Sequence, residues 1–505
     1  MNENLFHLMS QNFPADRGQT VIKLGDGKSY SYADLEEISG RFARLLLDKG
    51  VVKRDRVAVQ VEKSPENLFL YLATQRVGAV YLPLNTAYTL SEVSYFLGDA
   101  EPKVAVCRPQ NEAEFSELAK KLGVAEVLTL GADGKGSLTA GAEGLDADVG
   151  CVESAPDDLA AILYTSGTTG RSKGAMLSHR NLGANTLTLR DYWGFTKDDV
   201  LLHALPIFHT HGLFVASHCV LLSGARMYFL PKFDADQAIA LLPNCTAMMG
   251  VPTFYTRLLA HPGFTAEVCK NMRLFVSGSA PLLEETFKEF QERTGHTILE
   301  RYGMTETCMN TSNPLDGERR GGTVGFPLPG VEVRVTDENG KVLGVNEIGV
   351  LEVKGPNVFS GYWRMPEKTA EEFRPDGFFI TGDVSKIDER GYVHIVGRAK
   401  DLVICGGYNV YPKEIELVVD LLPGVGESAV IGVPHPDFGE AVVAVATKDG
   451  SNEISEEEVI AACKSQLANY KVPKRVYFVK ELPRNTMGKV QKNQLRDEYK
   501  ESFAA

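Results

Sequence analysis

Tyr164-Thr165-Ser166-Gly167-Thr168-Thr169-Gly170-Arg171-Ser172-Lys173-Gly174 is the stretch on which the reading of this chain turns. An apolar run from Leu159 leads into it and reads as a buried strand; a second run, Ala175 to Leu177, leads out. Glycine lets backbone N–H groups converge on an anion without Cβ obstruction. The Ser and Thr hydroxyls add short donors, and Arg171 and Lys173 add positive charge for phosphate oxygens. The loop therefore suits a polyphosphate, although a lone glycine-rich loop can also be a plain surface hairpin. It is not a Walker A loop, because Lys173 is followed by Gly174 and a strand-like run rather than by Ser or Thr and a helix.

The rest of the chain bounds the class of protein. At 505 residues it has room for about three domains. Apolar residues at 44 % and charged residues at 24 % are those of an ordinary globular protein. A net charge of −13 excludes nucleic-acid binding through overall charge and means that an anionic substrate needs a locally basic pocket. No apolar run reaches membrane-spanning length, the N-terminus lacks signal-peptide features, and the eight cysteines form no Cys-x-x-Cys pair. A cytoplasmic protein without a zinc site is expected.

Strand-like runs at Val57–Val61, Val80–Leu82, Lys103–Cys107 and Glu126–Leu130 alternate with helical patterns. One helix starts at Ser64-Pro65, with Ser as N-cap and Pro in the first turn. Another carries Phe115, Leu118, Ala119 and Leu122 on one face. This alternation predicts parallel α/β architecture. Residues 131–156, rich in Gly, Ala and Asp, read as an exposed connection. Beyond the loop, a helix begins near Ser178. Strands Leu201–Pro206, Ala247–Val251 and Leu274–Val276 follow, and then a helix that turns Leu283, Phe287 and Phe290 inward. Residues 322–396 read as a β-rich subdomain and the remainder as a compact α+β unit. The expected division is a large α/β domain over 1–397, a hinge at 398–401 and a small mobile domain over 402–505.

Four more segments match one pattern in order: Ser279-Ala280-Pro281, Tyr302-Gly303-Met304-Thr305-Glu306, Thr381-Gly382-Asp383 with Gly397-Arg398-Ala399-Lys400-Asp401, and Gly488-Lys489. With the glycine-rich loop they resemble the adenylate-forming superfamily of acyl-CoA synthetases, luciferases and peptide-synthetase adenylation domains. The resemblance implies an AMP-forming acid–thiol ligase that uses ATP and CoA with Mg²⁺. It implies that Thr165, Ser166, Gly167, Thr168, Thr169, Gly170 and Lys173 grip phosphates and that Ser279, Ala280 and Pro281 line the adenine. It also implies that Tyr302, Gly303 and Thr305 belong to the nucleotide site and that Glu306 holds the metal, which wants oxygen ligands. Asp383 would accept the ribose hydroxyls, with Arg398 beside it. Lys489 would stabilise charge at the α-phosphate, a contribution of about 3–4 kcal/mol by analogy with a lost oxyanion donor. Its acylation by a lysine acyltransferase would remove that charge. Lys400 falls at the family's hinge, and the loop with Gly406 and Gly407 would face CoA. Cys405 reads as a packed thiol.

The acid is read from Arg301. Many family members carry Gly there, opening a tunnel for an apolar chain. A guanidinium would fill the tunnel and offer two donors to a second carboxylate. Alternatively, Arg301 pairs with Glu300 and says nothing about substrate. His209 and Arg171 are further candidates near the acyl pocket, and Met304 and Met309 could shorten it. Arg301-Tyr302-Gly303-Met304-Thr305-Glu306, with residues 321–330 downstream, resembles the malonyl-CoA synthetases, which implies malonate as substrate and methylmalonate as a second one. The alternatives are a short- or medium-chain or aryl acyl-CoA synthetase, a carrier-protein loading ligase, and a nucleotide-binding relative without activity.

Overall fold

Four sheets carry the chain in a computed structural model that describes residues 2–165, 172–405, 408–436, 438–467, 469–485 and 488–503. The six-stranded sheet runs in the order Glu126–Thr129, Val104–Cys107, Arg56–Gln60, Val80–Pro83, Leu159–Thr165, Lys173–Ser178. Its first five strands are parallel, as the strand–helix alternation predicts. The helix Pro65–Arg76 between two of them starts as expected: the Ser64 hydroxyl accepts from the Asn67 N–H and Pro65 fills the first turn. Every residue of that helix is buried, so it has no solvent face and no amphipathic stripe.

The last two strands of this sheet form an antiparallel pair, with Tyr164 opposite Gly174 and Thr165 opposite Lys173. The two strands that flank the glycine-rich stretch thus pair at the sheet's edge. Residues 166–171, including Ser166, Gly167, Thr168, Thr169, Gly170 and Arg171, lie outside the described residues.

A nine-stranded sheet packs on the first. Its order is Phe326–Pro327, Cys308–Ser312, Leu299–Met304, Leu274–Ser277, Ala247–Gly250, Val200–His203, Arg226–Phe229, Thr20–Lys23, Ser29–Ser31. One core cluster joins Val57, Val59 and Leu68–Ala73 to Val21, Leu201, Met249 and Val276, so the two sheets share a single apolar interior. The segment 131–156 differs from the expected exposed connection. It contains the helix Ser137–Ala142, which buries Leu138 and Ala142. Gly40 admits this segment closely, since a Cβ there would lie 2.2 Å from the Ala147 carbonyl oxygen. Small residues that looked like loop composition serve close packing instead. Leu283 is also less buried than expected, because it is the N-cap of the helix Glu284–Thr294.

The β-rich stretch forms an antiparallel sheet, Glu332–Thr336, Gly349–Lys354, Phe379–Ile387 and Val393–Arg398. A single turn, Ala399–Asp401, leads from it to Val403–Cys405, the first strand of a five-stranded sheet in the C-terminal part. The fold is therefore mixed α/β, with a large N-terminal body and a smaller C-terminal one. Among the described residues no helix is long and apolar enough to cross a membrane, and no three His, Cys, Asp or Glu side chains are grouped to hold a metal.

Candidate functional site

The hairpin edge, the end of Leu299–Met304 and the segment 362–372 meet in one cluster. Lys173 Nζ is 2.8 Å from Glu372 Oε1 and stands 4.0 Å above the Tyr362 ring. The Tyr362 hydroxyl lies 2.7 Å from Glu372 Oε2 and 3.1 Å from Glu306 Oε1. Thr165 Oγ1 is 3.4 Å from the same Glu306 oxygen. Glu306 is buried, has no ion-pair partner among the described residues, and has its pKa raised by that burial. A buried carboxylate without a cation fits a hard divalent ion that completes its shell with phosphate oxygens. Gly303 lets this turn close, for a Cβ there would stand 1.8 Å from the Cys308 carbonyl oxygen.

Beside it, Asp383 and Arg398 are paired across neighbouring strands, with Arg398 Nε 2.6 Å from Asp383 Oδ1. The Tyr302 hydroxyl donates to the other oxygen of Asp383. Ser279 has φ +71°, a left-handed conformation uncommon for a residue with a Cβ and typical of functional turns. Ala280 and Pro281 follow it on the surface side, and Thr305 lies half-buried next to Glu306.

Lys489 reaches this region from the C-terminal body. Its side chain is solvent-accessible, yet its ammonium stands in a cleft walled by protein. Removal from bulk water, reinforced by Arg398 and Lys400 and opposed by Asp383 and Asp401, brings its pKa down to about 8. The neighbouring Gly488 abuts the large body, since a Cβ there would lie 3.4 Å from Thr253 Oγ1. Lys400 sits in the turn Ala399–Asp401, where desolvation lowers its pKa too. Gly406 and Gly407 lie outside the described residues; Cys405 is buried, as expected for a packed thiol.

Arg301 lies deeper. The parallel register Ser277↔Glu300 places Gly278 beside it, and a Cβ on Gly278 would be 2.4 Å from the Arg301 Cζ. The guanidinium lies flat on that bare backbone. Arg301 is 3 % exposed, and its Nε and Nη2 have no partner among the described residues. Burial pulls its pKa down to about 9, still above neutrality, so the cation persists. It does not pair with Glu300. Successive strand residues face opposite ways, and Glu300 Oε1 instead accepts from the Leu282 N–H at 3.1 Å. Burial raises the Glu300 carboxyl to about 8.

Around Arg301, burial and its charge hold His209 down to about 4 and His211 well below the usual histidine value, so both are neutral. His211 Nδ1 is 3.2 Å from Ser279 Oγ, while its Nε2 and the Thr210 hydroxyl are buried without a partner among the described residues. Met304 is half-buried at the strand end, 3.9 Å by sulfur from the Tyr302 hydroxyl, and the Met309 methyl would meet a Cβ at Gly303 at 2.6 Å. The site thus joins one buried cation to neutral polar groups that lack partners among the described residues, which suits a small anion. Sequence reasoning missed Tyr362, Glu372 and Gly278. The Ser277-Gly278-Ser279 turn was the one available signal, since a glycine between serines after a strand marks close backbone approach.

Comparisons with known proteins bear on this geometry. The AMP-binding enzyme family matches residues 10–363, and the AMP-binding enzyme C-terminal domain matches residues 414–489. The malonate–CoA ligase of Arabidopsis thaliana is 35 % identical over 520 residues, covering 93 % of this chain and 85 % of that protein. The crystal structure of ATP-bound MatB from Rhodopseudomonas palustris is 60 % identical, covers 100 % of both chains and has a TM-score of 0.97. Its apo form, at the same identity and coverage, has a TM-score of 0.87.

Proposed function

The chain belongs to the AMP-binding enzyme family, and from that premise we propose that it is an ATP-dependent malonate–CoA ligase. The observation that carries the substrate is Arg301, a buried cation whose Nε and Nη2 have no partner among the described residues. An unpaired buried charge is costly, and a second carboxylate on the substrate would offset that cost with two charge-assisted hydrogen bonds. A monocarboxylate would leave the guanidinium unpaired, which argues against the fatty and aryl alternatives. The likeness to a malonate–CoA ligase over 93 % of this chain supports the same reading.

In this reading one malonate carboxylate is held by Arg301, with the neutral His209 and His211 beside it, and the other faces the nucleotide. A carboxylate oxygen attacks the α-phosphorus of ATP, the bond to the β-phosphate oxygen breaks, and pyrophosphate leaves with the electron pair, giving malonyl-AMP. Lys489 places its ammonium against the charge that develops there, and Lys173 and the glycine-rich loop hold the departing phosphates. Asp383 and Arg398 orient the ribose. Glu306, with Thr165 nearby, would hold Mg²⁺, which when bound neutralises phosphate charge. The CoA sulfur then attacks the acyl carbon, AMP leaves, and the thiol proton passes to solvent. We place the hinge at Lys400, within 398–401, between domains of residues 1–397 and 402–505, with Gly406 and Gly407 toward CoA. Acylation of Lys489 by a lysine acyltransferase would silence the first step, and the setting is cytoplasmic.

The test is pyrophosphate release from malonate, methylmalonate, butyrate and benzoate, followed by thioester formation with CoA or with a pantetheinylated carrier protein. Malonate should lead, methylmalonate should follow within the ~1–3 kcal/mol that one methyl group is worth, and CoA should be the better acceptor. Butyrate turnover exceeding that of malonate would refute the substrate.

A further inference from the structure

We propose that Glu372 is the resident occupant of the polyphosphate seat: it holds the Lys173 ammonium while no nucleotide is bound, yields it when ATP enters, and so sets the affinity for polyphosphates. The inference rests on the reading of Lys173 as a phosphate ligand. Lys173 opens the strand that follows the glycine-rich loop, and two of its directions are taken, by Glu372 Oε1 at 2.8 Å and by the Tyr362 ring at 4.0 Å. The pair joins residues 199 apart in sequence. Glu372 caps the C-terminal end of the helix Pro366–Glu371, where exposed carbonyls disfavour a carboxylate. It is held there by Lys173, by the Tyr362 hydroxyl and by Lys368 at 3.4 Å. These contacts keep Glu372 ionised although burial opposes it.

An incoming triphosphate therefore meets a lysine whose charge is already matched, and beside it two carboxylates on one tyrosine hydroxyl, Glu306 and Glu372. Glu306 has a use for its charge in holding the metal. Glu372 has none toward an anion except to compete with it, as a carboxylate offers Lys173 the same charge-assisted hydrogen bond that a phosphate oxygen would. Binding is then an exchange of one anion for another. The exchange discriminates between ligands, because only those with β- and γ-phosphates, or free pyrophosphate, take Lys173 away from Glu372.

The experiment is calorimetric titration of the full-length protein and its Glu372→Gln and Glu372→Asp variants with Mg·ATP, Mg·pyrophosphate and AMP. Glutamine keeps the shape and removes the charge. It should tighten ATP and pyrophosphate about five- to tenfold, a charge-assisted contact discounted for partial exposure. AMP should stay within about twofold, and the aspartate variant, which restores the charge, should return ATP affinity toward the unaltered value. Unchanged or weaker ATP and pyrophosphate binding in Glu372→Gln would overturn the proposal, as would an equal gain for AMP. Failure of the unaltered protein to bind ATP at all would instead overturn the nucleotide reading beneath it.

Discussion

Replacing Arg301 by methionine should move activity and stability in opposite directions. The methionine stem follows much of the arginine path over Gly278 but carries no charge. With the substrate present, the variant loses one partner of a buried, hydrogen-bonded ion pair, a truncation that costs about 2–5 kcal/mol. At 1.4 kcal/mol per decade, kcat/KM for malonate should fall between about 30-fold and several thousand-fold. Without substrate the sign reverses. Arg301 Nε and Nη2 have no partner among the described residues, and desolvation drags the guanidinium's pKa down to about 9, so a ligand-free pocket holds a poorly compensated charge. The ligand-free variant should melt at a higher temperature than the unaltered protein. Malonate should stabilise only the latter, because ligand stabilisation follows affinity. Butyrate, whose methyl end prefers an apolar wall, should gain in kcat/KM. The assays are pyrophosphate release for three acids and thermal melts with and without malonate. A variant that keeps malonate turnover within tenfold, or that melts lower when empty, would refute the reasoning, because Arg301 would then be a structural residue.

Four further outcomes follow from the same geometry. Gly278→Ala puts a Cβ 2.4 Å from the Arg301 Cζ; the guanidinium must shift, so KM for malonate should rise at least tenfold while ATP affinity, measured by titration, stays the same. Lys489→Ala should abolish malonyl-AMP formation yet spare thioester formation from preformed adenylate, which separate half-reaction assays will resolve. Because the ammonium is the active form and its pKa lies near 8 among Arg398, Lys400, Asp383 and Asp401, kcat/KM for adenylation should fall as pH rises through about 8, with no such limb in the thioester step. Glu300→Gln addresses stability. The Glu300 carboxyl is raised from 4.5 to about 8 by burial, with Glu284 adding to the rise and Lys413 opposing it. Its contribution is therefore complete below pH 4.5 and lost as pH climbs through 8; the glutamine variant should melt higher at pH 8 and show a flatter profile over that window.

Local chemistry explains which parts of the molecule could be read from the sequence. Ser64-Pro65 marks a helix start because both the cap and the fixed φ are properties of those two residues. The motif around Tyr302–Glu306 stands out as a unit because its residues are consecutive, running from the end of a strand into the turn after it. The order of the nine-stranded sheet could not: Thr20–Lys23 pairs with Arg226–Phe229, some two hundred residues away, and no local signal records that register. Glu372 was hidden for the same reason. It sits at the end of a helix with Glu367 and Glu371, where a carboxylate looks like solvated surface, and only the folded chain brings Lys173 to it. Gly278 reads as a turn glycine, while its contact with Arg301 depends on the parallel pairing Ser277↔Glu300. What stays hidden in a single sequence is mainly pairwise contact between distant elements.

The assembly of charge carries the last step of the argument. A chain of net charge −13 must draw three anions, an acid, a nucleotide and CoA, into one cleft. On the proposed reading, Lys173, Arg398, Lys400 and Lys489 serve that task from the hairpin, the four-stranded sheet, the connecting turn and the C-terminal body. Glu372 and Asp383 already match Lys173 and Arg398, but the Lys489 ammonium is held below its usual value, first by desolvation and then by Arg398 and Lys400, against Asp383 and Asp401. A triphosphate entering beside Lys489 should offset that cost, which should return as pyrophosphate departs. On this account a bound nucleotide would favour the arrangement in which Lys489 faces Arg398 and Lys400, by cancelling the repulsion among them. Raising the salt concentration should favour closure of the empty protein, since screening acts on exposed cations in the same sense. A fluorescence-transfer pair across the turn Ala399–Asp401 would report this. A separation that shortens with ATP at low salt, yet is indifferent to salt without it, would place the driving force in direct contacts rather than in charge.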